Sequence, residues 1–259
     1  MTDALPRKEE APPGGPETFW ARVWATLLTP FQAFRHHDPT WGWWQPWLLV
    51  AVIGVTAGGI SLAKVDHEDW QEKQWQRLLD QMPPAKRKQM EKPEVAEGMA
   101  KFRRFQTFLT KASKVAGPPL VGLLGLVFAA FWLFLAARFV GPEPAELARC
   151  MSIAAYCSLA NLIAYAGEAW GSLQGNPQAS SSLAALSDPL EQPVLAAALS
   201  RVDPAVWAYY LFFAAGLAGS CRLSKGRALG VTFTLFVLSS LALVGLAGLG
   251  QLGASFQGG

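Results

Sequence analysis

Charge is scarce in this sequence and unevenly placed. Only 16% of the 259 residues are Asp, Glu, Lys or Arg, against about 25% in an average soluble domain. A wholly disordered chain is excluded, because disorder needs low hydrophobicity and 51% of these residues are hydrophobic. Cysteine is scarce too. Three Cys over this length make no disulfide framework, which excludes a small stapled secreted domain. Most of the charges fall in two blocks, about residues 1–40 and 64–114, and they are sparse elsewhere. A soluble globule mixes its charges along the chain, whereas a bilayer demands this partition. A net charge of +3 is too mild for a nucleic-acid surface, so no nucleic acid is expected as a partner.

Crossing about 30 Å of hydrocarbon takes about 20 apolar residues. Five stretches qualify, at about 46–63, 118–140, 148–171, 204–221 and 228–249. Lipid leaves exposed backbone without partners, so the spans are expected to be helices. The fold class is therefore all-α, a polytopic membrane bundle of five transmembrane helices. Asp203 is placed as N-cap of the fourth span, with Pro204 in the first helical position. Gly141-Pro142-Glu143-Pro144 joins spans two and three, and Arg222-Leu223-Ser224-Lys225-Gly226-Arg227 joins spans four and five. Connections this short make antiparallel hairpins. Gly54 with Gly58 has the small-xxx-small spacing that lets helices approach closely. Gly122 with Gly125, Gly216 with Gly219 and Gly245 with Gly248 are looser versions.

Residues 1–16 read as a disordered tail rather than a secretory signal, having no apolar run. The membrane domain is placed at 17–249, with a second short tail at 250–259. Between Glu17 and Phe34 the residues Trp20, Val23, Trp24, Leu27, Leu28 and Phe31 follow helical periodicity, with Pro30 as an interruption. This predicts an amphipathic helix at the membrane interface, or one packed on the bundle. Trp20, Trp24, Phe31, Trp43, Trp44 and Trp47 are the candidate interfacial anchors. In the polar loop 64–116, helices are expected over Asp69–Met82 and from Glu94 onward. The second carries Phe102, Phe105, Phe108 and Leu109 on one face and runs into the second span, with a break at Gly117-Pro118-Pro119. A short helix is expected around Val194–Leu199.

Orientation pulls two ways. The connection between spans four and five holds Arg222, Lys225 and Arg227 and no acid, which places it and the N-terminus in the cytoplasm. The loop after span one holds 12 Lys or Arg and 8 acids, which argues the opposite. The positive-inside rule weakens as loops lengthen, so the short connection is favoured.

Catalytic motifs are missing: there is no G-x-S-x-G, no phosphate loop and no pair of intramembrane glutamates. The chain is not expected to be an enzyme, and no cofactor is expected. Glu168 is the sharpest residue, since an acid within a span is costly. Cys157, Asn161, Tyr165 and Glu168 fall near one face of the third span. They line a small-solute or ion path, or else Glu168 simply reaches the interface beside Trp170. Cys150, Cys157 and Cys221 have no metal spacing and are read as small hydrophobes, with palmitoylation of Cys221 the lesser alternative. His36-His37-Asp38 and His67-Glu68-Asp69 lack the i, i+4 His pair of a zinc hydrolase, so no metal site is expected.

Several short segments carry a family likeness. They are Phe19-Trp20 with Leu28-Thr29-Pro30-Phe31-Gln32-Ala33-Phe34, Met151-Ser152-Ile153-Ala154-Ala155-Tyr156, Trp207 with Gly216-Leu217, and Leu223-Ser224-Lys225-Gly226-Arg227-Ala228. Together with the five-span layout they resemble the Yip family of Ypt/Rab-interacting proteins, in its divergent prokaryotic branch, over residues 17–249. The acidic-Leu-Tyr-Gly-Pro signature before the first span is absent. Ser158-Leu159-Ala160-Asn161 stands where the third-span motif usually carries Pro. The resemblance implies a five-span helical protein with a cytoplasmic N-terminus. Eukaryotic relatives bind prenylated Rab-type GTPases and act in trafficking and membrane shaping. The Ala-, Gly- and Trp-rich style suggests a bacterial inner membrane, where no Rab partner exists. The expected partners are the bilayer and a membrane or cytoplasmic protein, with a homo-oligomer also open.

Overall fold

A computed structural model describes residues 18–36, 42–82, 84–90, 93–140, 146–175, 181–187, 192–220 and 222–256. The 1–16 tail, Trp41, His37, Asp38, the 141–144 connection and Cys221 lie outside them. The described residues are almost wholly helical and contain no strand. In chain order the helices are α1 (Phe19–Leu28), α2 (Pro30–Ala33), α3 (Trp44–Lys64), α4 (His67–Gln81), α5 (Pro84–Met90) and α6 (Pro93–Val140). Then come α7 (Leu147–Cys157), α8 (Asn161–Leu173), α9 (Pro193–Leu199), α10 (Pro204–Ser220) and α11 (Lys225–Phe256). Among the described residues four stretches are long and apolar enough to cross a membrane: Trp44–Lys64, Glu97–Val140, Leu147–Leu173 and Lys225–Leu249.

The expected fourth span falls short of that length. Helix α10 has 17 residues, about 25 Å at 1.5 Å per residue. Its start is the one the residues dictate: the Asp203 carboxylate accepts from the backbone N–H of Ala205 at 2.7 Å and from the Ser181 hydroxyl at 2.8 Å. Helix α10 is the hub of the bundle, packed by α2, α7, α8 and α11. Phe212, Phe213, Ala214, Ala215 and Leu217 are buried. The core continues through Phe34, Leu133, Ile153, Tyr156 and Leu159, all fully buried.

The expected break at Gly117-Pro118-Pro119 does not occur. Helix α6 runs through both prolines for 48 residues, about 72 Å. Pro118 has no N–H for the Lys114 carbonyl four residues back. That freed carbonyl faces the bare Cα of Gly58, where any Cβ would collide with it. A Cβ on Gly54 would lie 2.6 Å from Pro118 Cβ and 2.7 Å from the Tyr165 ring. The Gly54/Gly58 spacing therefore forms a close seam between α3, α6 and α8. Gly216 meets Ile153 and Gly219 meets the Phe34 carbonyl in the same manner.

The third span is not one regular helix. A 3-10 turn at Ser158–Ala160 separates α7 from α8. Ser158 donates its hydroxyl to the Ala155 carbonyl at 2.6 Å, and Leu159 and Ala160 are fully buried. Irregular backbone at membrane depth is tolerated where protein covers it.

The described residues of the loop 64–116 are almost wholly helical. Helix α4 folds back on α6 through polar pairs: Lys111 with Glu68 at 2.7 Å, Gln71 with Thr110 at 3.1 Å, and Arg103 with Glu72. Asp66 caps α4, accepting from the N–H groups of Glu68 and Asp69 at 3.0 Å each. Those bonds, that from Asp69 first, hold its carboxyl below the usual range. Phe102, Phe105, Phe108 and Leu109 do share a face, and it is exposed. Helix α5, between the two expected helices, was not legible in the sequence.

Candidate functional site

A groove of about 620 Å³ runs between α3, α6 and α8. At one end stand Ser113 and Lys114 of α6 and Glu168 of α8. Farther in, the α6 wall is Val121, Gly122, Gly125 and Leu126, facing Ala154, Ser158, Asn161 and Ala164. Gly54, Pro118, Tyr165 and Tyr209 also line it. Asn161, Tyr165 and Glu168 thus share one groove, brought to one side of α8 by their spacing of three to four residues. Cys157 does not join them. It is fully buried in the core behind the 3-10 turn, which advances the chain by about 120° per residue instead of the α-helical 100° or so and so rotates the helix face.

Glu168 is not a free acid. The Lys114 ammonium is ion-paired with its Oε1, and the two side chains are only 25% and 24% exposed. No sequence motif announced Lys114. The signal that could have found it is depth: it lies four residues before Pro118, and Glu168 lies three before Gly171, at matching ends of antiparallel spans. The pair offsets the desolvation that either charge alone would suffer.

Beyond Lys114, His67 is buried at the start of α4, with its Nε2 3.3 Å from the Ser61 hydroxyl. Burial, then the nearby Lys114 ammonium, holds this imidazole below its usual range, opposed by a hydrogen bond to the Ser61 backbone. No group of His, Cys, Asp and Glu among the described residues could hold a metal ion.

The basic residues behave differently from one another. Arg222 is exposed and takes a left-handed backbone conformation, φ 52°. Lys225 stacks its ammonium 5.5 Å over the Phe31 ring, and Arg227 is exposed. The anchors also divide. Trp20, Trp24, Trp43 and Trp44 are exposed, whereas Phe31 and Trp47 are half-buried and pack against the core. In α1 the division runs along the helix: Val23 and Thr26 are buried on the bundle, and Trp20 (59%), Trp24 (60%) and Leu28 (72%) face outward. An apolar stripe wider than one contact face split in two, which periodicity does not resolve.

The family model described as Yip1 domain matches residues 24–247. No curated protein and no solved structure matches the chain.

Proposed function

Because the chain belongs to the Yip1 domain family, we propose that it is a non-enzymatic integral membrane protein that organises membrane or partner proteins. It crosses the bilayer five times. The fifth crossing is α10, whose short length is tolerated because protein rather than lipid surrounds most of it. With five crossings, the N-terminal helices and the connection before α11 share one face, which the contact of Lys225 on Phe31 supports. That face is cytoplasmic, since Arg222, Lys225 and Arg227 stand in a short connection without an acid. In the long loop Lys73, Arg103 and Lys111 are ion-paired with acids, and long loops cross largely regardless of charge. A bacterial inner membrane is the proposed location.

The observation that carries the reading is the two-sided seating of α1. One side is fixed to the bundle through Val23 and Thr26, and the other presents Trp20, Trp24 and Leu28 outward. Such a helix occupies area in one leaflet only and cannot leave it without dragging the bundle. Purified protein reconstituted in liposomes should therefore tubulate or shrink them, and Trp20→Ser with Trp24→Ser should reduce the effect several-fold. Liposomes left unchanged by the intact protein, with no membrane or cytoplasmic protein co-purifying, would refute the proposal. The alternative of a solute or ion path lacks support, because Glu168 is held by Lys114.

A further inference from the structure

The geometry points to the groove between α3, α6 and α8 as a binding site for one aminophospholipid, its phosphate on Lys114, its ammonium on Glu168 and one acyl chain along Gly122 and Gly125.

The shape comes first. Lys114 and Gly125 are 11 residues apart on α6, about 16 Å. That is about half the thickness of the hydrocarbon core, the depth of one leaflet. A charged pair stands at one end of this length and an apolar wall at the other. Gly122 and Gly125 do not serve helix contact as Gly54 and Gly58 do. A Cβ at Gly125 would meet nothing within 4 Å, and at Gly122 only the Trp47 Nε1, at 4.0 Å. The missing side chains open the groove instead of closing a seam. Within a bilayer, an open apolar groove is filled by a lipid chain.

The charges then choose the headgroup. Lys114 has three N–H donors, of which one is given to Glu168 Oε1. Glu168 keeps its second oxygen without a partner among the described residues. A cation and an anion therefore sit side by side, each with unused hydrogen-bonding capacity. A phosphate accepts from Lys114 while a primary ammonium donates to Glu168, both as charge-assisted bonds. An anionic glycerol headgroup offers Glu168 only neutral hydroxyl donors and no cation to balance its charge. A choline headgroup has no N–H to donate. This inference does not depend on membrane shaping, since it concerns what fills one groove.

Native mass spectrometry of the full-length protein, titrated with phosphatidylethanolamine, phosphatidylglycerol and phosphatidylcholine of equal chains, tests it. The intact protein should retain one phosphatidylethanolamine at least about fivefold more tightly than either other lipid. Glu168→Gln should bring ethanolamine and choline lipids to within about twofold of each other. Gly125→Leu should lower retention of the bound lipid about tenfold, and Gly125→Ala, a smaller intrusion, about twofold. Gly245→Leu, at an equally open position on α11, should change nothing. Equal retention of the three lipids by the intact protein, or unchanged retention in a folded Gly125→Leu, would overturn the inference. If Gly125→Leu does not fold, Gly125→Ala and the headgroup comparison decide. Vesicle shaping without headgroup preference would overturn this site alone.

Discussion

The seams around α3 and α10 and the outer helix α11 are built from the same small and apolar residues, yet they are held in opposite ways. At Gly58 and Gly219 an added Cβ would strike backbone of a neighbouring element. At Gly226, Gly230 and Gly245 of α11 it would meet nothing within 4 Å. Helix α11 touches little but α10 and α9, and Phe233, Leu238, Leu241, Leu246 and Leu249 are exposed. A polar staple helps hold it: the Arg201 guanidinium reaches Ser239 at 2.8 Å and Ser240 at 3.0 Å, and lies 5.4 Å over the Phe236 ring. Lipid tails are as apolar as Leu, so shape rather than hydrophobicity decides which helices pack tightly in a membrane. Glycine in the inner seams is a fitting surface; at Gly226, Gly230 and Gly245 it is only a small residue facing out.

The largest test of this contrast is Gly58→Ala or Gly219→Ala against Gly245→Ala. The first two force overpacking and should cost about 1–3 kcal/mol, possible only with backbone movement. Gly245→Ala should be neutral or stabilising by about 0.5–1 kcal/mol through helix propensity. Thermal or detergent unfolding of the purified protein measures all three, and equal effects would break the contrast. Next comes the groove pair. Lys114→Met should cost about 2 kcal/mol by leaving Glu168 half-buried and unpaired, and adding Glu168→Met should restore most of it.

Arg201→Ala then sharpens the picture from the other side. Its loss should cost about 1 kcal/mol and act locally, raising amide exchange in residues 236–249 while α3 and α6 keep their protection. Smallest is a pH effect at the α3–α4 junction. The His67 pKa is lowered in the fold, so the folded state binds its proton less readily than the unfolded chain. The stability it contributes is complete above its ordinary value near 6.5 and is lost as pH falls through the depressed value. Exchange in α4 should rise over that window, and His67→Gln should flatten the response.

What the sequence disclosed was local. Asp203 beside Pro204 marks a helix start because the cap needs only adjacent residues. The apolar runs marked the spans because a bilayer imposes length. Gly54 with Gly58 marked a seam, but not that its partners would be Pro118, Tyr165 and the Lys114 carbonyl, since nothing in one helix specifies its rotation against another. The break expected at Pro118 failed for the same reason. A proline disrupts a helix through an orphaned carbonyl, and a bare Cα on α3 takes up that space. Glu168 was legible as costly, yet its partner lies 54 residues away. Cys157 was misplaced because the 3-10 turn at Ser158–Ala160 rotates the face that regular periodicity assigns it.

Helix α1 is where sequence and structure together say the most about function, through one side on the bundle and one side out. The direct test is a spin label at residue 24, then at residue 20, in reconstituted full-length protein whose three native Cys are replaced. The account predicts high accessibility to oxygen and low accessibility to a water-soluble nickel relaxant at both positions, with a depth just below the phosphates. Labels that meet the nickel relaxant as freely as an aqueous loop would contradict it.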